Sequence, residues 1–144
     1  MHLTQYTDYS LRILLYLGFK QKRATISEIS NAFKVSRHHL TKVAHDLARR
    51  RYVHTFPGKF GGLELAEAAC NLKLGEMIKQ FEPMSLLECF DPVTNTCPLQ
   101  GVCQLERALY ESRQAFLEAL NRYTLGDFLK PGASLAQRKA RLGL

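Results

Sequence analysis

The spacing of apolar residues predicts helices through most of the N-terminal half of the chain. Between residues 7 and 19 the apolar side chains recur every three or four positions, which is typical of a largely buried helix. Two shorter helical patterns follow, ISEISNAF and SRHHLTKVAHDLARRR, with a brief turn at KVS between them. Ser27 and Ser36 are the expected N-caps of these two helices. Two short helices joined by such a turn predict a helix-turn-helix, in which the second helix is the reading helix.

The periodicity then changes from helical to alternating. Residues 52–56 have strand character, residues 57–62 (PGKFGG) form a turn, and residues 63–65 read as a returning strand. A hairpin placed directly after a reading helix is a wing.

Helical spacing returns in the C-terminal half. Residues 72–81 form a short amphipathic pattern that Pro83 ends, and a long helical pattern runs from Gln104 to Tyr123. The stripe of the long helix contains Leu105, Ala108, Leu109, Ser112, Phe116, Ala119, Leu120 and Tyr123. A partner must cover this stripe, so we expect a homodimer. The predicted fold is mainly α: a winged helix-turn-helix with a two-stranded wing and a long C-terminal dimerisation helix.

These patterns divide the chain into four predicted parts. They are a DNA-binding domain over residues 1–83, a cysteine loop over 84–103, a dimerisation helix and cap over 104–130, and a flexible basic tail over 131–144.

Charge distribution indicates which part approaches DNA. The formal net charge is +7, and residues 1–70 hold eleven Lys and Arg against five Asp and Glu, whereas residues 71–129 hold five against eight. Phosphate and base contacts are predicted for exposed polar residues of the reading helix and for one lysine of the wing. These residues are Ser36, Arg37, His38, His39, Thr41, Lys42 and Lys59. Adjacent residues on a helix point about 100° apart, so the two histidines are not expected to share a metal.

The first residues carry Asp8 and Arg12 within their apolar run and lack a small-residue cleavage site, so they resemble neither a signal peptide nor a membrane span. A cytoplasmic protein without membrane contact is therefore expected. In that compartment four cysteines do not predict a disulfide framework. Cys70 lacks a spacing signal and is expected to be a small buried apolar side chain.

The other three cysteines form a candidate iron–sulfur site. Cys89, Cys97 and Cys103 are separated by seven and five residues in a loop rich in turn formers, ECFDPVTNTCPLQGVCQLE. Structural zinc sites have paired ligands two to four residues apart, a spacing absent here, so a cluster is favoured over zinc. The fourth ligand position stays open or comes from elsewhere, and Glu106 is the next candidate along the chain.

Four features of the chain belong together: the segment MHLTQYTDYSLRIL, the two helices of the reading motif, the wing PGKFGGLEL and the three cysteines. In this combination they resemble the NsrR/IscR-type family of winged-helix repressors. The resemblance covers nearly the whole chain and implies a homodimer with long crossed helices and a 4Fe-4S or 2Fe-2S cluster, the first being favoured. It implies that Asp8 of the other subunit is the fourth ligand and that Arg12 supports it. Glu106 stands where IscR-like members have a histidine, which favours the NsrR branch.

That branch implies a function. Dimers with intact clusters are expected to bind a near-palindromic operator and to release it when nitric oxide attacks the cluster. Three alternatives remain: a cluster that senses iron or oxygen, a switch that uses the bare thiols, and a cluster-free regulator controlled by a protein partner. An enzyme is not expected, because the chain has no Gly-rich phosphate loop and no Ser/His/Asp or paired-carboxylate arrangement.

Overall fold

The computed structural model describes residues 2–144, and the predicted fold class is confirmed. Seven α-helices and a two-stranded antiparallel sheet are described. They are α1 (Gln5–Lys20), α2 (Ile26–Phe33), α3 (Arg37–Arg49), β1 (Val53–Phe56), β2 (Gly62–Leu65), α4 (Leu74–Phe81), α5 (Gln104–Leu120), α6 (Leu125–Leu129) and α7 (Ala133–Arg141). Short 3-10 helices lie at Glu67–Asn71 and Glu88–Phe90.

The chain forms two compact units. The first, called the winged unit here, comprises the residues up to Leu72 together with Thr124–Leu144. The second, called the cysteine unit, comprises Lys73–Tyr123. The four predicted parts, which end at residues 83, 103, 130 and 144, are a division by function and stay a prediction.

Helix α1 is the centre of the winged unit. Thr4 caps it by accepting a hydrogen bond from the backbone N–H of Thr7, and the chain turns out of the helix at Gln21 with a left-handed φ of 53°. Its apolar stripe is enclosed by α3, by the wing and by α6. Fully buried side chains of this core include Ile13, Leu14, Leu17, Ile29, Leu40, Leu47 and Leu125.

The caps of the helix-turn-helix differ from those predicted. The N-cap of helix α2 lies two residues earlier than expected, because Thr25 and Glu28 form a reciprocal capping box. Ser27 therefore lies inside the first turn, and its prediction as a cap is wrong. Ser36 occupies the N-cap position of α3, but its side chain makes no capping hydrogen bond.

The wing is a regular hairpin in which Val53 pairs with Leu65 and Phe56 pairs with Gly62. The chain preceding α2 joins it through a bridge, because Ala24 and Leu63 exchange backbone hydrogen bonds of 2.9 and 2.7 Å. A Cβ atom at position 62 would lie 2.6 Å from the Ala24 carbonyl oxygen. Only glycine allows this close approach, which fixes the base of the wing.

In the cysteine unit, α4 packs against α5. A Cβ atom at Gly75 would lie 2.4 Å from the Leu117 carbonyl oxygen, so the two helices touch through backbone at this point. The Asn121 side chain accepts a 3.1 Å hydrogen bond from the backbone N–H of Glu76 and so supplies a partner at the start of α4. Met77, Ile78, Phe81 and Leu117 are buried.

The C-terminal segment belongs to the winged unit. The sequence predicts a flexible tail over residues 131–144, whereas the structure has helix α7 within this segment. Arg138 of α7 donates a 2.9 Å hydrogen bond to the Phe128 carbonyl. Among residues 2–144, none of the helices combines the length and apolar character that crossing a membrane requires.

Candidate functional site

The predicted DNA-contacting residues are all solvent-exposed. Every residue predicted for the reading helix α3 is exposed, as is Lys59 on the wing. Thr41 donates its hydroxyl to the Arg37 carbonyl 2.8 Å away, which is a helix-internal bond that leaves the hydroxyl oxygen available to accept. The surface therefore offers cationic, hydroxyl and imidazole groups on the outer face of a helix whose inner face is buried.

A polar network that sequence reasoning missed joins α1 to α3. The Tyr6 hydroxyl donates to the carboxylate of Asp46, which also accepts from Arg49 and, at 2.7 Å, from Arg50. Burial opposes ionisation of Asp46, but these hydrogen bonds outweigh it and lower its pKa to about 2. The spacing of Asp46, Arg49 and Arg50 on one helix face was the available signal. Arg49 and Arg50, at the far end of the reading helix, are thus held by Asp46.

A ring contact joins the same two helices further along. Tyr9 of α1 stacks on His39 of α3, with ring centroids 6.3 Å apart and an interplanar angle of 23°. Tyr6 and Tyr9 lie three residues apart and therefore on one side of α1. The reading helix thus touches α1 at two points, one of them through a residue predicted to face DNA.

Asp8 lies on α1 between these two tyrosines. Its carboxylate is 2.8 Å from the guanidinium of Arg12, one helical turn on, and the side chain is 46% exposed. The predicted contact with Arg12 is therefore present. Arg12 in turn lies over the ring of Phe33, 5.5 Å from its centroid. This packing limits the positions that the guanidinium can take beside Asp8.

The three cysteines of the predicted cluster lie in the cysteine unit and are half-buried. Cys103 is the N-cap of α5, where its sulfur accepts a 3.4 Å hydrogen bond from the backbone N–H of Glu106. This cap fixes the position of the Cys103 sulfur at the start of α5. The backbone N–H of Cys97 donates to the side-chain oxygen of Asn95 at 2.9 Å.

The loop between the first two cysteines is built from polar contacts. The Glu88 carboxylate accepts both the backbone N–H and the hydroxyl of Thr96, at 2.7 and 2.6 Å, which closes the loop across eight residues. The Asp91 carboxylate accepts the hydroxyl of Thr94 and the backbone N–H of Val93, both at 2.9 Å. In the fully described segment 84–103 every side chain is exposed or half-buried.

Two observations fit a cationic iron group held by these sulfurs. Partial desolvation, and then the charges of Glu106, Cys97 and Cys103, raise the pKa of the Cys89 thiol. Bringing these sulfurs together as thiolates therefore requires positive charge between them. The amide nitrogen of Asn95 is buried without a hydrogen-bond partner. This donor lies two residues before Cys97 in the chain and is available to an acceptor on a bound group.

The side chains nevertheless do not form a ready metal centre. Within residues 2–144, no three His, Cys, Asp or Glu side chains stand close enough together to hold an ion. Uncharged thiols are weak hydrogen-bond partners and have little mutual attraction. Cys70 belongs to the winged unit. The sequence predicted a buried side chain, but Cys70 is half-buried. Burial, followed by the charge of Glu67, raises its pKa.

Arg113 of α5 clamps the cysteine loop, a role that sequence reasoning missed. Its guanidinium lies over the rings of Phe90 and Tyr110, 4.9 Å from each centroid, and donates a 2.9 Å hydrogen bond to the Met84 carbonyl. Phe90 follows Cys89 directly, so the clamp fixes the chain beside the first sulfur. A single arginine that contacts several groups leaves no periodic pattern in the sequence, so these contacts could not be predicted from spacing.

The outer face of α5 is largely solvent-exposed. Leu105 is 62% exposed and Tyr110 48%, while the inner face contributes the buried Leu117. Tyr123, which follows the end of the helix at Leu120, is 50% exposed. Most of the predicted apolar stripe thus stays accessible to a partner.

Comparison with known proteins gives one consistent family. The family model described as Rrf2, iron-dependent transcriptional regulator, matches residues 3–131. The chain is 41% identical over 138 residues to the HTH-type transcriptional regulator NsrR of Geobacillus kaustophilus, and the match covers 94% of both chains. It is 42% identical over 132 residues to the regulator of the same name from Halalkalibacterium halodurans, covering 90% of both. These names describe regulators rather than enzymes, in agreement with the prediction.

Solved structures show the same fold. CymR of B. subtilis superposes with a TM-score of 0.69 at 22% identity, covering 90% of this chain and 96% of that one. IscR of T. potens superposes with a TM-score of 0.66 at 19% identity, covering 90% and 86%. The predicted resemblance to the NsrR/IscR-type family is confirmed.

Proposed function

Because this chain belongs to the Rrf2 family of iron-dependent transcriptional regulators, we propose that it is a homodimeric repressor whose operator affinity is controlled by an iron–sulfur cluster that senses nitric oxide. The relatives named NsrR support this assignment, since they match nine-tenths or more of the chain at about 41% identity. The site supports it through three sulfurs in one loop and a carboxylate on the helix that contacts the reading helix.

The proposed ligands are Cys89, Cys97 and Cys103 of one subunit and Asp8 of the other. Thiolates suit iron, and a carboxylate oxygen is the harder donor that leaves one iron more open to exchange. When bound, the cluster supplies iron that reacts with nitric oxide. We favour a 4Fe-4S over a 2Fe-2S cluster on the resemblance. The residues of this chain anchor three sulfurs in the loop and bring the carboxylate from α1.

The observation that carries the proposal is that Asp8 shares α1 with the two side chains that touch the reading helix. Tyr6 binds Asp46 and Tyr9 stacks on His39, so a shift of α1 moves groups that are in contact with α3. Ligation of Asp8 would hold α1 in one position. Loss of that tie would release the helix and change the placement of the DNA-reading surface.

Asp8 also has a partner when it does not bind the cluster of the other subunit. In the structure its carboxylate is paired with Arg12 at 2.8 Å, and this pair keeps the charge of Asp8 satisfied without a metal. Because Asp8 and Arg12 lie one turn apart on the same helix, their pair moves with α1. Arg12 therefore orients the carboxylate when Asp8 is a ligand and satisfies its charge after the ligand is lost.

The dimer and the DNA surface complete the proposal. Exposed apolar residues of α5 supply a face for a second copy, which would place two reading helices in successive major grooves of a near-palindromic operator. The base and phosphate contacts are assigned to the exposed polar residues of α3 and to Lys59 of the wing.

An anaerobic absorption experiment with two cysteine variants tests the cluster and its signal. Wild-type protein should be brown, and additions of nitric oxide should bleach it. Cys97→Ala should keep its far-ultraviolet circular dichroism but lose iron and visible colour, whereas Cys70→Ala should match the wild type. Colour retained in Cys97→Ala, or a wild-type spectrum indifferent to nitric oxide, would refute the proposal.

A further inference from the structure

The tip of the wing carries an unusually exposed aromatic ring. Phe60 is 84% exposed, whereas the other exposed large apolar residues among those described in the winged unit, Leu3, Leu72 and Leu144, reach at most 39%. The ring has no surrounding apolar patch, so it offers too little area for a protein or a bilayer to recognise. Its surroundings on the hairpin indicate a different partner.

The backbone that presents the ring is held firmly. The turn closes with a 2.9 Å hydrogen bond from the backbone N–H of Gly61 to the Gly58 carbonyl. A Cβ atom at position 61 would lie 2.1 Å from the Phe56 carbonyl oxygen, so only glycine permits this tight turn. A rigid tip loses little conformational freedom when its side chain enters a binding partner.

Arg23 braces the same tip from the base of the wing. Its guanidinium lies 3.5 Å from the centroid of the Phe56 ring and donates to the Phe60 carbonyl at 3.5 Å. It also pairs with Glu64 at 3.8 Å. Glu64 is the one carboxylate in the sequence of residues 52–66, so its pairing leaves the wing with a cationic character.

The charge beside the ring belongs to Lys59. Its ammonium group lies 5.9 Å from the centroid of the Phe60 ring and is exposed. An apolar wedge next to a cation is the combination with which proteins enter the DNA minor groove and unstack a base step.

The position of the wing suits that role. β1 follows the reading helix directly, since the backbone N–H of Tyr52 donates to the Leu47 carbonyl at 2.9 Å. In B-DNA each major groove is bordered by a minor groove, so a hairpin beside a helix in the major groove faces the phosphates and the minor groove. We propose that Phe60 inserts into the minor groove of the bound duplex as a wedge that partially unstacks one base step, while Lys59 contacts a flanking phosphate. The inference rests on the DNA binding in the proposed function.

The test uses the anaerobic, cluster-loaded full chain and a duplex that the wild type selects from a randomised pool. Adenines next to the wing are replaced one at a time by 2-aminopurine, whose fluorescence rises when it is unstacked, and end-to-end energy transfer measures the bend. Phe60→Leu keeps an apolar wedge, Phe60→Ala removes it, and Lys59→Ala removes the charge alone. Because both side chains are exposed, circular dichroism should be unchanged in all three variants.

The wild type should give a fluorescence rise at one step in each half-site. Phe60→Ala should abolish this rise, reduce the bend and weaken binding about tenfold, whereas Phe60→Leu should retain most of each effect. Lys59→Ala should keep the rise and lower the salt dependence of binding by about one unit per protomer. A wild type that binds without a rise, or a rise that survives in Phe60→Ala, overturns the wedge alone. A wild type that selects no duplex overturns DNA binding and the wedge together.

Discussion

The winged unit and the loop of the cysteine unit, residues 84–103, are stabilised by different interactions. The winged unit encloses apolar side chains such as Leu14 and Leu47, which are completely buried between α1, α3 and α6. The loop of the cysteine unit has no buried side chain in its fully described span 84–103 and is closed by carboxylate and arginine contacts such as Glu88 with Thr96. A DNA-binding unit with a packed core keeps one shape, whereas the loop that is proposed to accept and lose a cluster is held by exchangeable polar bonds.

Alanine substitutions of two leucines, one in the core of the winged unit and one in the cysteine loop, test this difference most directly. Leu14→Ala should lower the free energy of unfolding by about 2–5 kcal/mol, because it leaves a cavity in the core. Leu99→Ala, in the cysteine loop where the side chain is 56% exposed, should change it by less than about 0.5 kcal/mol. Urea unfolding followed by circular dichroism measures both, and similar losses would mean that the loop has a core of its own.

A second test concerns the polar network that joins α1 to α3. The pKa of Asp46 is lowered from 3.8 to about 2, so its ionised form contributes stability that is present above the ordinary pKa and is lost as pH falls. The full contribution is about 2 kcal/mol, and about half of it should be gone at pH 3. The stability difference between wild type and Asp46→Asn should therefore shrink between pH 6 and pH 3.

Tyr6→Phe provides the matched control for Asp46. It keeps the ring and removes one of the hydrogen bonds that lower the Asp46 pKa. It should show a smaller pH-dependent difference of the same sign. A difference for Asp46→Asn that stays constant with pH would show that the network does not favour the carboxylate.

The third test separates metal binding from folding at Arg12. Arg12→Gln removes the partner of Asp8 and should weaken iron retention about 10- to 100-fold, measured as the rate of iron release to a chelator. The pair is substantially exposed, so the free energy of unfolding should change by less than about 0.5 kcal/mol. Lys130→Gln breaks a similar exposed pair with Asp127 and should leave iron release unchanged. Equal rates of iron release in the two variants would show that Arg12 does not contribute to iron retention.

The smallest expected effect is at the clamp on the cysteine loop. Arg113→Ala loses two ring contacts and a hydrogen bond, so local opening of residues 84–97 should become easier by about 1 kcal/mol. Hydrogen exchange should show this change in the loop while the amides of α1 keep their protection. Arg107→Ala, whose side chain is 81% exposed, serves as the control on the same helix. Unchanged exchange in the loop of Arg113→Ala would contradict the clamp.

Sequence reasoning reached those features that are periodic or local. Helices α1 to α6 and the wing follow from spacing along one element, the Asp8–Arg12 pair was implied by the family resemblance, and all of these are present. Helix α7 was not predicted. The cap of α2 was misassigned although the sequence carries the signal: Thr25 has Glu28 three residues on, which is the capping-box spacing, whereas Ser27 has Ser30 at that distance.

Contacts between distant segments were beyond the reach of spacing. Tyr6 meets Asp46 across forty positions, and Arg113 meets Met84 across twenty-nine, so neither pair leaves a local pattern. The same limit applies to Phe60, whose exposure depends on how the wing turns. The ligand roles of Asp8 and of the three cysteines stay predictions that rest on resemblance and on the fit of the loop.

The central claim is that a group held by the cysteine unit changes how the winged unit binds DNA. The most direct measurement is the affinity of one selected duplex for cluster-loaded and cluster-free wild-type protein, under anaerobic conditions at one salt concentration. The account predicts that the loaded form binds more tightly by roughly 5- to 150-fold, the usual range of coupling between two sites, and that nitric oxide removes the difference. Equal affinities for the two forms would contradict it.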